Sequence, residues 1–286
     1  MMSILENKID FAVLVEVHNA NPNGDPLGGN RPRTTYNGLG EISDVCIKRK
    51  IRNRLQDMDE NIFVQSQERA DDEFKSLSER AKETLKKTLG DKPTSEEYAR
   101  VACETWFDVR AFGQVFAFKN DGTSGVSVGV RGPVSIHQAE SISPVEINSM
   151  QITKSVNSEP SEKKSSDTMG MKHLVNYGLY LIKGSINTQL AKKTGFTEED
   201  AEKIKEALRT LFENDASSAR PDGSMEVIRV YWWKHNCQTG QYSSAKVHRS
   251  LEIKEKNSNN LAASLDDYEI VLNNLEGLKP EIIEGM

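Results

Sequence analysis

The sequence predicts an α+β fold whose core is of the ferredoxin-like, RNA-recognition type. Three observations support this prediction: a buried-strand pattern early in the chain, two amphipathic helices far apart in sequence, and strand patterns that follow each helix. Two helices that alternate with four or more strands are typical of the ferredoxin-like arrangement. Because 286 residues exceed what such a core requires, we expect a single domain, residues 1–286, that carries insertions.

The first strand, loop and helix have the clearest patterns. Ile9–Val17 is largely apolar and rich in β-branched residues, which is typical of a strand buried on both faces. Asn, Gly and Pro are dense from His18 to Arg33 and indicate a long loop. Ser43 or Asp44 is suited to cap the helix that follows. In this helix apolar side chains recur at every fourth position, namely Ile47, Ile51 and Leu55.

The rest of the chain adds further elements, an insertion, a protrusion and a tail. Residues 57–107 are highly charged and helical in character, and are predicted to form a surface insertion. Residues 144–172 are polar and are predicted to form a protruding loop or hairpin. Residues 254–286 are acidic and rich in Asn, and are predicted to form a C-terminal tail. The remaining predicted elements are a helix over Thr94–Phe107, a strand over His173–Asn187, a helix after Thr197, and strands over Met225–His235 and around Ala245–Ile253.

The distribution of charge indicates a local basic face on an acidic protein. The formal net charge is −6, from 37 Lys and Arg against 43 Asp and Glu, which by itself disfavours nucleic-acid binding. The first helix is predicted to direct Lys48 and Arg52 to one flank, Lys50 and Arg54 to the other, and Arg49 away from the core. The alternative is an ordinary solvated helix surface. The concentrated basic residues are Arg31, Arg33, Lys48, Arg49, Lys50, Arg52 and Arg54.

Cysteine usage and hydropathy exclude several classes of protein. Cys46, Cys103 and Cys237 are far apart and odd in number, which disfavours a disulfide framework and a zinc site. We therefore expect a reducing compartment, no metal and no cofactor. No segment approaches the roughly 20 consecutive apolar residues of a membrane span, so we expect no membrane partner.

Five segments of the chain carry a family resemblance. They are NPNGDPLGGNRPR after the first strand, SDVCIKRKIRNRL in the first helix, and further on DVRAFGQVF, GVRGPVSI and SMQITKSV. Together they resemble the Cas-seven family of the RAMP superfamily, the backbone subunits of CRISPR surveillance complexes (Cascade). The similarity runs from about Ile9 to Ile253 and is greatest with the type I-C branch.

The resemblance implies a modified RNA-recognition-motif core with a helical finger insertion at 57–107 and a protruding thumb hairpin at 144–172. It implies that several copies stack into a helical filament along one CRISPR RNA (crRNA) and present it to a target DNA strand. It further implies, as partners, a Cas-five-type subunit, the large and small Cascade subunits and a recruited helicase-nuclease, in the cytoplasm of a prokaryote. Family members of this type are not nucleases, so we expect no enzymatic activity.

The resemblance also implies which residues contact the RNA. Base pairing supplies the specificity of a guide RNA, so the protein is expected to hold phosphates and riboses and to leave base edges free. Lys and Arg suit phosphates, Gly and Asn allow close backbone approach, and an apolar side chain is suited to unstack a base step. Cys46 stands where related members often have Ser. The predicted RNA-binding residues are Asn19, Asn21, Arg31, Arg33, Ser43, Asp44, Lys48, Arg49, Arg52, Met150, Gln151, Lys154 and Lys172.

Two alternative functions stay open at this point. One is a RAMP-type endoribonuclease that cuts pre-crRNA or target RNA, with His18 as general base. Against it, target-cutting members have an aspartate in the loop that precedes the thumb, whereas Ser141–Ser149 here offers Glu146 but no aspartate. Asp108 and Arg110 are candidates for a catalytic or metal-binding group, but a structural ion pair between them is the favoured prediction. The other alternative is a general single-strand RNA-binding module outside CRISPR systems.

Overall fold

The computed structural model describes residues 3–89, 93–118, 127–153, 169–257 and 261–286. Within these ranges, no helix combines the length and the apolar character needed to cross a membrane.

The strands are β1 (Ile9–Ala20), β2 (Gly24–Asp25), β3 (Arg31–Pro32), β4 (Leu39–Ile42), β5 (Gly113–Phe116), β6 (Val128–Arg131), β7 (Val134–Ile136), β8 (Ala139–Pro144), β9 (Ile147–Thr153), β10 (Met169–Ile186), β11 (Met225–Lys234), β12 (Leu251–Glu255), β13 (Tyr268–Leu272) and β14 (Glu281–Glu284). The helices are α1 (Asp44–Asp57), α2 (Leu77–Lys86), α3 (Ser95–Thr105), α4 (Phe107–Phe112), α5 (Thr188–Thr194), α6 (Glu198–Arg209) and α7 (Ser244–Ser250).

The main sheet has the strand order β14-β11-β1-β10-β8-β4. Its four central strands reproduce the ferredoxin-like order, because β1 lies between β11 and β10 and pairs antiparallel with both. β10 in turn pairs antiparallel with β8. In sequence, α1 connects the first of these strands towards the second, and α6 connects the third towards the fourth. The predicted α+β fold with a ferredoxin-like core is therefore confirmed.

One face of the sheet is covered by α1 and α6. The predicted apolar stripe of α1 is buried in this core together with Phe11, Val13 and Val15 of β1. Both helices begin where the sequence predicts, because the side chains of Ser43 and Thr197 accept backbone N–H groups of the first turn. The helix that carries the basic residues is thus fixed to the sheet along its whole length.

The opposite face of the sheet is covered by the C-terminal segment, which corrects the prediction of a tail at 254–286. β12 and β13 form a ribbon, and the Tyr268 hydroxyl lies 2.6 Å from the Ser143 Oγ of β8. β14 pairs with β11 at the sheet edge. The acidic composition conceals the alternation of Tyr268, Ile270 and Leu272, which is the period of a strand.

A helix replaces part of the strand predicted around Ala245–Ile253. The side chain of Ser243 accepts the N–H of Lys246, which begins α7, and only Leu251–Glu255 is a strand. Tyr231, Trp232 and Trp233 of β11 are all buried, the first and third beneath the C-terminal segment. Sheet aromatics of RNA-recognition motifs stack on bases, but these rings are covered by protein.

The insertion after α1 has a small hydrophobic core of its own. Phe63, Leu85, Trp106 and Phe116 are buried there with residues of α2, α3, α4, β5 and β6. α3, part of the helix predicted over Thr94–Phe107, begins with a reciprocal capping box between Thr94 and Glu97. This cluster extends beyond residue 107 to Val128 in β6.

Candidate nucleic-acid interface

The end of β1 and the loop that leads to β4 have a defined conformation set by Asn and Gly residues. Asn19, Gly29 and Asn30 have positive φ angles of 48°, 67° and 60°, which these residue types tolerate best. The side-chain amide of Asn21 donates to the Asn30 carbonyl at 2.7 Å and closes the loop. Asn21 is 3% exposed, so this predicted RNA-binding residue holds the loop in shape, whereas Asn19 and Arg31 are exposed.

The same loop is attached to the first turn of α1. Asn23 Oδ1 accepts both the backbone N–H and the hydroxyl of Ser43, at 2.9 and 2.8 Å. The Ser43 Oγ in turn accepts the N–H of Cys46 at 3.3 Å. Ser43 is therefore occupied as a helix cap and loop anchor. Burial raises the pKa of the Cys46 thiol, and its Sγ lies 3.7 Å from the Pro22 carbonyl.

Several of the predicted cations on α1 already have partners in the chain. Lys48 pairs with Asp44 at 3.0 Å, and Arg52 with the buried Asp108 at 2.8 Å. The Arg49 side chain points towards the insertion, where its Nη1 donates to the Val64 carbonyl at 2.7 Å. Lys50 is buried beside Asp215 and is not on a solvated flank.

Among the described residues, no carboxylate forms an ion pair with the Arg49 guanidinium. Burial and the neighbouring Arg52 lower the pKa of its guanidinium. A neutral carbonyl is its acceptor, while the carboxylate nearby belongs to the Arg52–Asp108 pair. An arriving phosphate would supply the charge that this position lacks.

Arg31 joins the loop to the hairpin formed by β9 and the start of β10. Its Nη1 donates to Ser149 Oγ at 3.2 Å, and His173 Nδ1 lies 2.8 Å from the same oxygen. Nearby, the Val145 N–H donates to the Gly38 carbonyl at 3.0 Å. The two regions that the sequence predicts as RNA-binding, far apart in the chain, are thereby brought into contact.

The register of this thumb hairpin separates two residues that were predicted together. Gln151 pairs with Met171 and Met150 pairs with Lys172, and residues opposite each other share a face of the ribbon. Gln151 therefore lies on the face of Ser149, which contacts Arg31, whereas Met150 and Lys172 lie on the other face. Lys154 lies outside the described residues.

Comparison with known proteins decides the family. Residues 7–273 match the family described as CRISPR-associated protein Cas7. The chain belongs to the Cas7 family. It is 24% identical over 280 residues to CRISPR-associated protein Cas7 of Haloferax volcanii. The alignment covers 91% of this chain and 79% of the relative.

Two solved structures are similar to this Cas7-family chain. A chain of a "CRISPR RNA-guided surveillance complex, pre-nicking" is 13% identical, with a TM-score of 0.46 and coverage of 83% of each chain. A chain of a "CRISPR RNA-guided surveillance complex" is 16% identical, with a TM-score of 0.44 and coverage of 79% of this chain and 68% of that one. The family resemblance drawn from the motifs is confirmed by the family match.

Arg131 is not among the RNA-binding residues that the sequence of this Cas7-family chain predicts, although its surroundings resemble theirs. Most arginines of the described residues form an ion pair with a carboxylate. Among those residues, the arginines without such a pair are Arg31, Arg49, Arg131 and Arg249. A signal existed in the sequence, because the segment SVGVRGPVSI around Arg131 contains no acidic residue.

Of the residues considered for catalysis, Asp108 and Arg110 each bond to other residues of the fold, whereas His18 is partly exposed. Asp108 accepts the N–H groups of Phe63 and Val64 besides its bond to Arg52. Arg110 pairs with Asp200 at 2.8 Å, so the predicted Asp108–Arg110 pair is wrong, although each belongs to an ion pair. The His18 side chain is 44% exposed, and its Nε2 lies 3.3 Å from Glu16 Oε1. In the described part of the chain, no group of three or more His, Cys, Asp or Glu is arranged to hold a metal.

Proposed function

We propose that this Cas7-family chain is a crRNA-binding backbone subunit of a type I-C Cascade complex. The observation that carries the proposal is the contact between Arg31 and Ser149, which places the loop, the start of α1 and the thumb hairpin side by side. Arg31 and Arg49 have no carboxylate partner among the described residues. Unpaired guanidinium groups on a rigid surface are suited to bind phosphates.

The fold constrains how the RNA is held. Both faces of the main sheet are covered, one by α1 and α6 and the other by the C-terminal segment. The RNA therefore follows the loop, the first turns of α1 and the thumb instead of stacking on the sheet. Contacts of this kind go to the sugar-phosphate backbone and leave the bases free for pairing, as a guide requires.

In this function the subunit acts as one of several identical copies and has no catalytic role. Several copies stack along one crRNA into a helical filament and present it to the target DNA strand. The partners are a Cas-five-type subunit, the large and small Cascade subunits and a recruited helicase-nuclease, in the prokaryotic cytoplasm. The basis for these finer assignments is the resemblance of the motifs to the type I-C branch of the Cas7 family.

The double substitution Lys48→Ala with Arg49→Ala tests the proposal. Expressed with a CRISPR array and its neighbouring subunits, the variant is expected to fold normally but to lose most of its bound RNA and to fail to form filaments. The matched control is Arg249→Ala with Lys246→Ala on α7, which removes the same charge from a helix on the opposite face of the sheet. Equal RNA retention in both variants and the wild type would refute the role of α1.

His18 provides the one specific observation in favour of an endoribonuclease. Its imidazole is partly exposed and close to the Glu16 carboxylate at 3.3 Å, and a carboxylate is a suitable orienting group for a histidine base. Labelled pre-crRNA incubated with the isolated protein separates the two functions. We expect no specific cleavage, and cleavage that His18→Ala abolishes would establish the enzyme instead.

A further inference from the structure

Two adjoining grooves lie beside α1, at the junction of the main sheet and the insertion. The first runs between Lys48 of α1 and the turn that joins β6 to β7, and Ser135 and Asn187 also line it. The second runs between β6, α3 and α5 and ends at Lys193. Arg131 lines both grooves, so the two share one guanidinium at their junction.

No carboxylate of the described residues lines either groove. This is unusual for a chain with a net charge of −6. A third groove, at the far end of α1, is mainly acidic, because Asp57, Asp59, Glu60 and Asp71 line it together with one cation, Arg69. Clefts lined by one sign of charge focus the electrostatic potential and select ligands of opposite charge. The grooves around Arg131 are therefore suited to an anion.

The backbone holds Arg131 in place while its side chain stays exposed. β6 pairs with β5 through Arg131 and Gly113. The next residue, Gly132, packs so closely that an added Cβ would lie 2.2 Å from the Ala111 carbonyl oxygen. The Pro133 carbonyl accepts the N–H of Asn187 at 3.0 Å. A rigid support of this kind lowers the entropic cost of holding a ligand.

Arg131 and Lys193 are also free of internal ion pairs within the described part of the chain. Lys48, which pairs with Asp44 at 3.0 Å, continues the same line of cations on to α1, where it meets the surface assigned above to the RNA. Three cations spaced along a continuous depression match a ligand with repeated charges better than a single small anion. The Ser135 hydroxyl and the Asn187 amide are suited to hydrogen bonds with phosphate or ribose oxygens.

We propose that Lys48, Arg131 and Lys193 form a basic track that binds the phosphodiester backbone of single-stranded nucleic acid. The inference rests on the proposed function, because it extends the path of the strand from α1 across the base of the insertion. Two strands share this chemistry, the guide RNA and the target DNA strand that pairs with it. The experiment below distinguishes them.

The test uses the double variant Arg131→Gln with Lys193→Gln, assembled into the complex with the neighbouring subunits. The control, Arg249→Gln with Lys246→Gln, removes the same charge from α7. One arm measures the affinity of the RNA-free protein for labelled guide RNA as a function of salt. The other arm measures the affinity of the preassembled, RNA-loaded complex for complementary single-stranded DNA. Loss of two phosphate contacts lowers the log–log salt slope by about 1.4.

Each result assigns the basic track to the guide RNA or to the target DNA strand, or overturns the inference. A reduced slope in the RNA arm assigns the track to the guide, and a reduced slope in the DNA arm alone assigns it to the target strand. Unchanged slopes in both arms overturn the inference, and so does loss of a protein subunit from the complex without any change in slope. A wild-type protein that binds no RNA would refute the proposed function itself, which is a separate outcome.

Discussion

Arg52 and Arg31 carry the same charge in different surroundings. The Arg52 side chain is 13% exposed and bonded to Asp108, which is itself buried. Arg31 is exposed and bonded to a hydroxyl. A buried ion pair that loses one member leaves an uncompensated charge, whereas an exposed arginine is replaced at little cost. The two residues are therefore expected to respond differently to the same substitution.

Arg52→Ala is expected to lower the free energy of unfolding by about 3 kcal/mol, because Asp108 stays buried without its cation. Arg31→Ala is expected to leave the urea midpoint unchanged and to reduce the RNA bound by the purified complex. Urea unfolding monitored by circular dichroism and the absorbance ratio of the complex measure the two effects. Equal stability of the two variants would show that Arg52 is not structural.

His248 on α7 makes the stability dependent on pH. Burial lowers the pKa of its imidazole below the ordinary 6.5, while the Gly184 carbonyl at 3.0 Å opposes this shift. As the pH falls below 6.5, the unfolded chain takes up the proton first, so stability is lost towards acid and is complete above that pH. His248→Gln keeps a donor for the carbonyl but does not titrate.

The expected result is a smaller loss of unfolding free energy in His248→Gln than in the wild type between about pH 7.5 and about pH 5.5. Parallel pH profiles of the two proteins would contradict the assignment. Subtraction of one profile from the other isolates His248 from the remaining titratable groups.

Among the elements, the thumb hairpin offers two methionines in matched positions on opposite faces. Met171 lies opposite Gln151, on the face of Ser149, and is 55% exposed, whereas Met150 lies on the other face and is 38% exposed. Because Arg31 contacts the face of Ser149, an RNA strand bound at the loop is expected to meet that face first. An exposed apolar side chain there is suited to wedge between bases.

Met171→Ala is therefore expected to weaken RNA binding several-fold, and Met150→Ala to change it less. Fluorescence anisotropy of a labelled guide RNA measures both variants, and residue type and ribbon position are matched between them. A larger effect at Met150 would place the RNA on the opposite face of the hairpin.

The elements also show what the sequence can predict. β1, α1 and α6 were predictable because their apolar periods and caps are local features. The partner of Arg52 was not, because Asp108 lies 56 residues away and reaches it only through the fold of the insertion. The opposite faces of Met150 and Gln151 follow from hairpin register, which depends on pairing with Met171 and Lys172.

In the molecule as a whole, the sheet provides support and the proposed binding surface lies outside it. The C-terminal segment covers the sheet face whose aromatics would otherwise meet bases. Its role was hidden in the sequence because its apolar residues are sparse among Asp, Glu and Asn. What the molecule presents instead is a loop, a helix and a hairpin in contact, with cations that lack carboxylates at their junction.

The loop, the first turns of α1 and the thumb hairpin are proposed to hold a crRNA. The most direct measurement is to purify the protein with its co-expressed neighbours and a CRISPR array, and to sequence the RNA that remains bound. The predicted result is a uniform population of repeat–spacer–repeat molecules that dissociates as salt is raised. Recovery of no RNA, or of a mixture without array sequences, would contradict it.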